Sequence, residues 1–473
     1  MGRLLLAMTC CCLGGLTLAC GGEDSSGAKS SGGGGTTSTG GSSTGGASGA
    51  GTGGAGGSGG ASGGNAGSGG SAGSGGSGGS PTVCDEVLTG PKKLDVPGRH
   101  YCLESDVPST GETFEIAAND VVLDGKGHGV HYPNGGRFLT IAKAPDGVPP
   151  VTSGVVVKNL VVTGTGSMEK FIVLNSARDC RLENVTAEFT GAVIGSGAAF
   201  LAMYQSHRNT FSGCRFVFEA TSAGADMMTI RNGSSCNQWL NDTVVRLDDN
   251  DGHTVKINSG DTTIAGLPRD NVFVGNRILS RGPDAIMFQA SETGDHSIVL
   301  DNLLLSEGTS VAVLELSAFG SGSSVTVAGN TIVARAGRGV HDELTGEISF
   351  ENNVILSNGG FTFDVHALGT SDYNDLYRAD AGDLLWYTNG GGAASLTEWK
   401  QSGFDAHSIS AGPPSALFVD SNVDLTQKPP VLGNFQPKPG APILGAGKAG
   451  VDLGAPKGGL SGQAPPLACG KPL

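Results

Sequence analysis

Residues 272–279 read VFVGNRIL, and the same pattern returns as IVLDNLLL at 298–305, VTVAGNTIV at 325–333 and ISFENNVIL at 348–356. Each copy is a short β-rich run, one polar residue, and a second β-rich run. The polar position recurs about every 27 residues, a period that is typical of architectures in which similar units stack on one another. In nine copies this position is held by Asn159, Asn184, Cys214, Asp242, Asn276, Asn302, Asn330, Asn353 and Asn374.

A second segment of most repeats alternates apolar and polar residues, as in MMTIRNG at 227–233 and HTVKINS at 253–259. Alternation with a period of two predicts half-buried strands, and no long stretch of the domain shows a helical period. Two or three strands per repeat, stacked copy upon copy, predict an all-β fold, a right-handed single-stranded parallel β-helix. The blades of a propeller would need four strands in a longer repeat. A corner Asn fits the prediction, because Asn tolerates left-handed backbone and its amide can bond to the copies above and below.

Longer phrases carry a resemblance to a known family. They are VPGRHYCLESDV (96–107), ANDVVLDGKGHGV (118–130), SDYNDLY (371–377), SLTEWKQSGFDAHSI (395–409) and NFQPKPGAPILGAGKAGVDLGA (434–455). From Val83 onward the chain resembles the bacterial right-handed parallel β-helix repeat proteins of the pectate-lyase-like superfamily. These include lyases, hydrolases and proteins without known activity, so the resemblance implies the fold and leaves the function open.

The chain is expected to have five parts. Residues 1–20 resemble a bacterial lipoprotein signal that ends at a lipidated Cys20; an ordinary cleaved signal is the alternative. Residues 21–80 are almost entirely small and polar and predict a disordered tether. We expect an N-terminal cap and first coil at 81–120, β-helix repeats at 121–380 and a C-terminal capping segment at 381–473. The protein would then be exported and held at the cell surface or periplasmic face by its lipid.

The charge and the cysteine content limit which ligands and disulfides are expected. The net charge of −15 argues against nucleic acid as a ligand. In an exported protein the remaining cysteines can form disulfides, and Cys84 and Cys102 are the favoured pair. The sequence leaves the state of Cys180, Cys214, Cys236 and Cys469 open. Nothing in it calls for a partner subunit, and we expect a monomer.

Alternation also sorts the second strand of each repeat into inward and outward side chains. The inward set is Leu174, Tyr204, Ile230, Val255, Phe288 and Leu314. The outward set is Asn175, Gln205, Arg231, Lys256, Gln289 and Glu315, continued by His341 and Asp364. This column predicts a binding face, with Arg231 and Lys256 on consecutive coils and Lys256 as a candidate general base. The alternative is a solvated surface without a function.

Asp249 and Asp251 precede Lys256 in DDNDGHTVK at 248–256. Alternating carboxylates in a turn suit calcium, which could neutralise a uronate carboxylate beside the lysine. The spacing resembles the motif of the alginate and chondroitin lyases with a β-helix fold, which implies that the two aspartates bind the metal and that Lys256 removes a proton. The chain departs from that motif, which has Glu at both acidic positions and an Arg where Gln289 stands. Arg231, one coil before the lysine, and Arg277 and Arg281 in the following connection are the candidate replacements for that arginine.

These features favour a surface-tethered β-helix that binds extracellular polysaccharide through the outward column. Asn175, Gln205, Gln289 and Glu315 are the expected binding residues. If the protein is an enzyme, the reaction expected is β-elimination at a uronate, with Lys256 and Arg231 as catalytic residues. The competing function is a non-catalytic structural or adhesion rod.

Overall fold

The computed structural model describes part of the chain. It covers residues 83–456 and Cys469, apart from 110, 134, 143–150, 196–197, 261–265, 290–293, 310–311, 318–321, 344–346, 367, 381 and 388–390. The predicted signal, the tether and Cys20 lie outside the described residues. No helix in the described part is long and apolar enough to cross a membrane.

The described chain is a parallel β-helix of about ten turns, which confirms the predicted fold. A full turn places one strand on each of three faces, called here A, B and C, and each strand pairs with the strand above it in the next turn. Consecutive turns are therefore about 4.8 Å apart along each face. In the described part of the chain the strands of successive turns pair in parallel, and the last strand, β36, runs antiparallel to its neighbour β35.

Strands are numbered in chain order. Face A holds β1 (Glu86–Leu88), β3 (His100–Leu103), β6 (Val122–Asp124), β15 (Thr210–Ser212), β18 (Gln238–Leu240), β21 (Val272–Val274), β24 (Ile298–Leu300), β27 (Ser324–Ala328), β30 (Glu347–Glu351) and β33 (Thr370–Asp372). Face B holds β4 (Val107–Pro108), β7 (Gly129–Tyr132), β16 (Arg215–Ala220), β19 (Thr243–Arg246), β22 (Arg277–Ser280), β25 (Leu303–Ser306), β28 (Thr331–Ala334), β31 (Val354–Ser357) and β34 (Asp375–Arg378). The long strands β10 (Val156–Met168) and β13 (Arg181–Val193) pass through faces A and B without a break.

Face C carries the alternating segments. It holds β2 (Lys92–Leu94), β5 (Phe114–Ile116), β8 (Leu139–Ile141), β11 (Lys170–Asn175), β14 (Ala199–Tyr204), β17 (Asp226–Arg231), β20 (Val255–Ile257), β23 (Ile286–Phe288), β26 (Ala312–Leu316), β29 (Arg338–Asp342), β32 (Phe363–Val365), β35 (Leu385–Tyr387) and β36 (Gly391–Ala393). A side pair joins β9 (Thr152–Ser153) to β12 (Ala177–Arg178). The helices are α1 (Leu396–Gln401), α2 (Pro414–Leu417) and a 3-10 turn at Lys448–Gly450.

A buried ladder of polar side chains runs through the corner between faces A and B. The backbone N–H of Asp242 donates to Asn276 Oδ1 at 2.9 Å, and that of Asn276 donates to Asn302 Oδ1 at 2.8 Å. The same bond repeats through Asn330 and Asn353 to Asn374. A side-chain amide can satisfy backbone groups that the turn leaves unpaired, and burial makes this necessary.

The predicted polar position was wrong in the first two copies of the repeat. Strand register places Leu160 and Val185, rather than Asn159 and Asn184, below Cys214 in this column. Asn159 and Asn184 have φ values of 52° and 54°, so they occupy the left-handed corner. In later turns the residue before the ladder takes that conformation, for example Gly275 with φ 66°. Each corner thus has a left-handed position followed by a ladder position, and the repeat pattern alone did not separate them.

The structure joins Cys84 to Cys102, the pair that the sequence favoured. A second disulfide links Cys236 to Cys469, and Cys180 and Cys214 are buried free thiols. Burial raises the pKa of Cys180 to about 12. At that pKa the thiol stays protonated at neutral pH and is a poor nucleophile.

Residues 411–456, called here the strap, lie along the outside of face B. Their apolar residues form a second core with outward residues of that face; the strap contributes Leu417, Phe418, Val423, Leu425, Phe435, Ala441, Ile443 and Leu453. Arg277 donates from Nη2 to the carbonyls of Leu432 and Gly433, each at 2.6 Å. Lys428 pairs with Glu219 at 2.7 Å, near the lower end of the strap. The segment predicted to cap the end of the stack therefore also covers its side.

Candidate functional site

The predicted outward column lies on face C, and most of the inward assignments are correct. Leu174, Ile230, Val255, Phe288 and Leu314 are fully buried in the central core. Tyr204 is the exception: it pairs in register with Asn175 below and Arg231 above, so its side chain belongs to the outward set. The prediction that placed Tyr204 inward was wrong, because Met203 is the residue of β14 that pairs in register with the buried Leu174 and Ile230.

The structure divides the outward residues into two columns. Lys256 lies above Thr229 and below Met287, and this column continues upward through Glu315, His341 and Asp364. A neighbouring column, two residues further along each strand, contains Asn175 and Arg231.

Arg231 is therefore not directly below Lys256, and the residue directly above Lys256 is Met287 rather than Gln289. Gln289 follows the end of β23, and Gln205 takes a left-handed conformation after β14. Alternation indicated the side on which each residue lies, but the vertical alignment depends on strand pairing, which it does not determine.

Arg231 and Lys256 nevertheless meet at one carboxylate. Arg231 Nη2 is 3.3 Å and Lys256 Nζ is 4.0 Å from Asp226 Oδ2. The arginine and lysine side chains are 16% and 17% exposed, so solvent still reaches both. Asp226 Oδ1 accepts the backbone N–H of His253 at 3.0 Å, which holds the carboxylate in place. One carboxylate facing two cations leaves a local excess of positive charge, although the whole protein is acidic.

His253 lies between Asp226 and a second aspartate one turn higher. Its Nδ1 is 2.5 Å from Asp284 Oδ2. Asp284 is fully buried, and its other oxygen has no hydrogen-bond partner among the residues that the structure describes. The His253 ring is 17% exposed, and its Nε2 has no partner among the described residues. The imidazole is thus fixed by a buried carboxylate on one side and open on the other.

A further group of ionisable residues continues up the same face. Asp364 is 2.7 Å from Arg338 Nη1 and 3.2 Å from His341 Nδ1. Burial would lower the pKa of His341, but hydrogen bonds to Asp364 and Glu343 outweigh it and raise the pKa to about 8. Burial, with a contribution from Asp284, raises the pKa of Glu315. Acidic groups therefore occur on several turns of face C.

An exposed aromatic side chain ends this column. Trp386 pairs in register with Asp364 and is 41% exposed. The other two tryptophans, Trp239 and Trp399, are buried. An exposed indole offers a flat apolar surface on which a ligand ring can pack.

The donors predicted to bind calcium do not converge on a common site. Asp249 is 77% exposed and its nearest charged partner is Arg281, 3.4 Å away; Asp251 is also exposed. Calcium needs six to eight oxygen ligands. Within the described residues, the two groups of three potential ligand residues lie elsewhere, and in each the two cysteines are joined in a disulfide and offer no thiolate. The donor set fits calcium poorly, and no chemistry below depends on the ion.

Sequence reasoning missed Asp226, His253 and Asp284, although a signal was present. Each stands two residues before one of three buried residues that pair in register on face C, namely Met228, Val255 and Ile286. Aligning the repeats on these buried residues would have stacked the three polar side chains. They were overlooked because they stand at or just before the first residue of the alternating segments.

Comparisons with known proteins add little to this geometry. No protein-family model and no curated protein matches the chain. At 12% identity it is similar to the alginate lyase of Paenibacillus sp. str. FPU-7, with a TM-score of 0.31 and coverage of 69% of this chain and 99% of that one. It is similar at 12% identity to the Dettilon tailspike protein, with a TM-score of 0.31 and coverage of 62% of this chain and 61% of that one. It is also similar to the A-module of a mannuronan C-5 epimerase from Azotobacter vinelandii. The identity is 12%, the TM-score is 0.27, and the match covers 68% of this chain and 91% of that one. These values carry no argument about function, and the fold rests on the strand pairings themselves.

Proposed function

We propose that face C binds an extended extracellular polysaccharide. The observation that carries the proposal is the column of Lys256, Glu315, His341 and Asp364, which ends at the exposed Trp386. Side chains on neighbouring turns are about 4.8 Å apart, so a polymer lying along the stack would meet a new contact at each turn. The predicted export signal and lipid anchor would hold this face outside the cytoplasm, where such polymers occur.

The geometry supports a carboxylated polymer over a neutral one. Arg231 and Lys256 share Asp226, and this group carries one more positive than negative charge. An anionic sugar can therefore find a local cationic contact although the domain as a whole repels anions. A purely structural rod remains the competing function, since polar outward residues occur in any solenoid.

Affinity electrophoresis tests the proposal. The purified full-length protein is run through gels containing uronate polymers or neutral glucans. We expect retardation by at least one uronate polymer, and Lys256→Ala should abolish it. The matched control is Lys158→Ala on face A, because Lys158 also pairs with one aspartate, Asp124, at 3.3 Å. Equal mobility of the wild-type protein in every gel would overturn polysaccharide binding.

A further inference from the structure

The pair of His253 and Asp284 resembles an acid–base unit more than a structural ion pair. A buried aspartate that accepts from Nδ1 fixes the tautomer and orientation of an imidazole, so that Nε2 keeps its lone pair available. His253 Nδ1 faces Asp284 Oδ2, while Nε2 has no partner in the described part of the chain. Asp284 is fully buried and leaves its second oxygen unsatisfied. Native proteins seldom keep such a group in the interior without a function.

We propose that His253, oriented by Asp284, is the general base of a uronate-eliminating site on face C. This inference rests on the proposed binding of a carboxylated polysaccharide to that face. It assigns the base to a residue that the sequence motif did not indicate, and it gives Lys256 a different role.

Lys256 is less suited to be the base. A lysine amine is protonated at ordinary pH, and an ammonium group has no lone pair with which to accept a proton. Its Nζ lies 4.0 Å from Asp226, which is its ion-pair partner. A neutral imidazole, by contrast, accepts a proton at Nε2 near neutral pH.

Arg231 and Lys256 are placed to bind the substrate carboxylate. They lie on the strands β17 and β20, and His253 stands three residues before Lys256. Cations around a uronate carboxylate withdraw charge from it and make the proton on the adjacent carbon more acidic. The local charge of Arg231, Lys256 and Asp226 is +1, so one bound carboxylate neutralises the group.

The reaction can be written with atoms and electrons in balance. His253 Nε2 takes the proton from the carbon next to the carboxylate, and the electrons of that C–H bond form a carbon–carbon double bond. The glycosidic C–O bond on the next carbon breaks, and the departing oxygen takes a proton from water. The imidazolium, stabilised by Asp284, returns its proton to solvent after the product leaves. No oxidant, reductant or metal is required.

The test compares His253→Gln with a matched control in the full-length protein. The control is His407→Gln, because His407 also pairs through Nδ1 with an aspartate, Asp372, at 2.7 Å, but lies on the surface away from face C. Product is followed by the ultraviolet absorbance of unsaturated sugar ends, with alginate, polygalacturonate and chondroitin as probes. We expect His253→Gln to lose at least 100-fold in rate while its retardation in polymer gels stays unchanged. His407→Gln should keep both properties.

Asp284→Asn tests the positioning role. Loss of the carboxylate removes the stabilisation of the imidazolium, so the rate should fall at least 100-fold, and the pH at which the remaining activity is half-maximal should shift down. A purely structural change would lower the rate equally at all pH values. Thermal melting of each variant checks that the fold is retained.

The outcomes separate this inference from the proposed function. If the wild-type protein is retarded by a uronate polymer but yields no unsaturated product from any probe, face C binds without catalysing and the base assignment is wrong. The assignment is equally wrong if His253→Gln keeps its rate. If the wild-type protein is not retarded and yields no product, both proposals fail together.

Discussion

Faces B and C are built from the same repeat, yet their outward side chains differ completely. On face B the residues that stack in register are Val217, Val245, Leu279, Leu305, Val333 and Leu356. The strap covers this apolar column and forms a second core with it. On face C the outward column runs from Lys256 through Met287 to the ionisable Glu315, His341 and Asp364, and it ends at an exposed tryptophan. One face is thus closed by the chain itself, while on the other Arg231, Lys256 and Trp386 stay partly exposed to a ligand.

The two faces of the solenoid therefore have different roles. A parallel sheet buried on both sides is apolar throughout, whereas a half-exposed sheet alternates. Face B contributes to stability through the strap, and face C is where charge and hydrogen-bonding capacity remain. Changes on face B should therefore alter unfolding, and changes on face C should alter binding.

The largest expected effect is on the strap. Phe418 and Phe435 are both about 1% exposed and their ring centroids are 5.2 Å apart. Phe418→Ala removes a buried ring and should lower the free energy of unfolding by about 3–5 kcal/mol. Denaturant melts measure this change, and Val419→Ala, at an exposed neighbour, is the control. A loss below about 1 kcal/mol would show that the strap does not stabilise face B.

The next effect concerns a carboxyl group in the buried ladder. Asp242 holds the ladder position that is occupied by Asn in the later turns. Burial raises its pKa from 3.8 to about 8. Its Oδ2 has no hydrogen-bond partner among the described residues. Between these pH values the folded state holds a proton that the unfolded state has released, so the free energy of unfolding falls as the pH rises. Asp242→Asn restores an amide donor and should raise the free energy of unfolding by about 1–3 kcal/mol at neutral pH.

The pH dependence provides the check on this prediction. The gain from Asp242→Asn should shrink as the pH falls towards 3.8, where the carboxyl group is protonated in both states. Asp249→Asn, at an exposed carboxylate, should show no such gain. If the gain in the free energy of unfolding did not vary with pH, the claim that Asp242 is protonated in the folded protein would be wrong.

A smaller effect is expected from His341 on face C. Its pKa is raised from 6.5 to about 8, so its protonated form stabilises the fold. This contribution is complete below 6.5 and is lost as the pH rises through 8. His341→Gln should remove about 1 kcal/mol of this pH dependence from the free energy of unfolding. Melts over this pH range measure it, with His296→Gln on an exposed part of the fold as the control.

The smallest effect on stability is expected at Trp386. Because the ring is 41% exposed, Trp386→Ala should change the free energy of unfolding by less than about 1 kcal/mol. Retardation in polymer gels should nevertheless weaken, since the flat indole surface at the end of the column is lost. A variant that unfolds easily and binds normally would reverse the roles given to the two faces.

The sequence predicted the fold because Asn276, Asn302, Asn330 and Asn353 repeat at one corner, and each must satisfy the same backbone groups. It did not predict the vertical register on face C, since left-handed residues such as Gln205 and strands of unequal length shift the alignment between turns. Arg231 and Lys256 were therefore placed on the correct side and on consecutive turns, but they belong to two neighbouring columns rather than one.

The strap shows a second limit of the sequence. The runs RILS, LLLS and VILS at 277–280, 303–306 and 354–357 do not alternate, which indicates strands that are buried on both sides. The sequence does not say which segment covers them, because that depends on contacts between residues 155 or more positions apart, such as Arg277 and Leu432.

Footprinting by hydroxyl radicals tests most directly whether face C is the binding surface. The protein is oxidised with and without a uronate polymer, and modification is measured residue by residue. We expect Trp386 to be protected, while the exposed Val161 and Val451 react equally in both samples. Protection of Val451 in the strap with no change at Trp386 would contradict the assignment of the binding surface to face C.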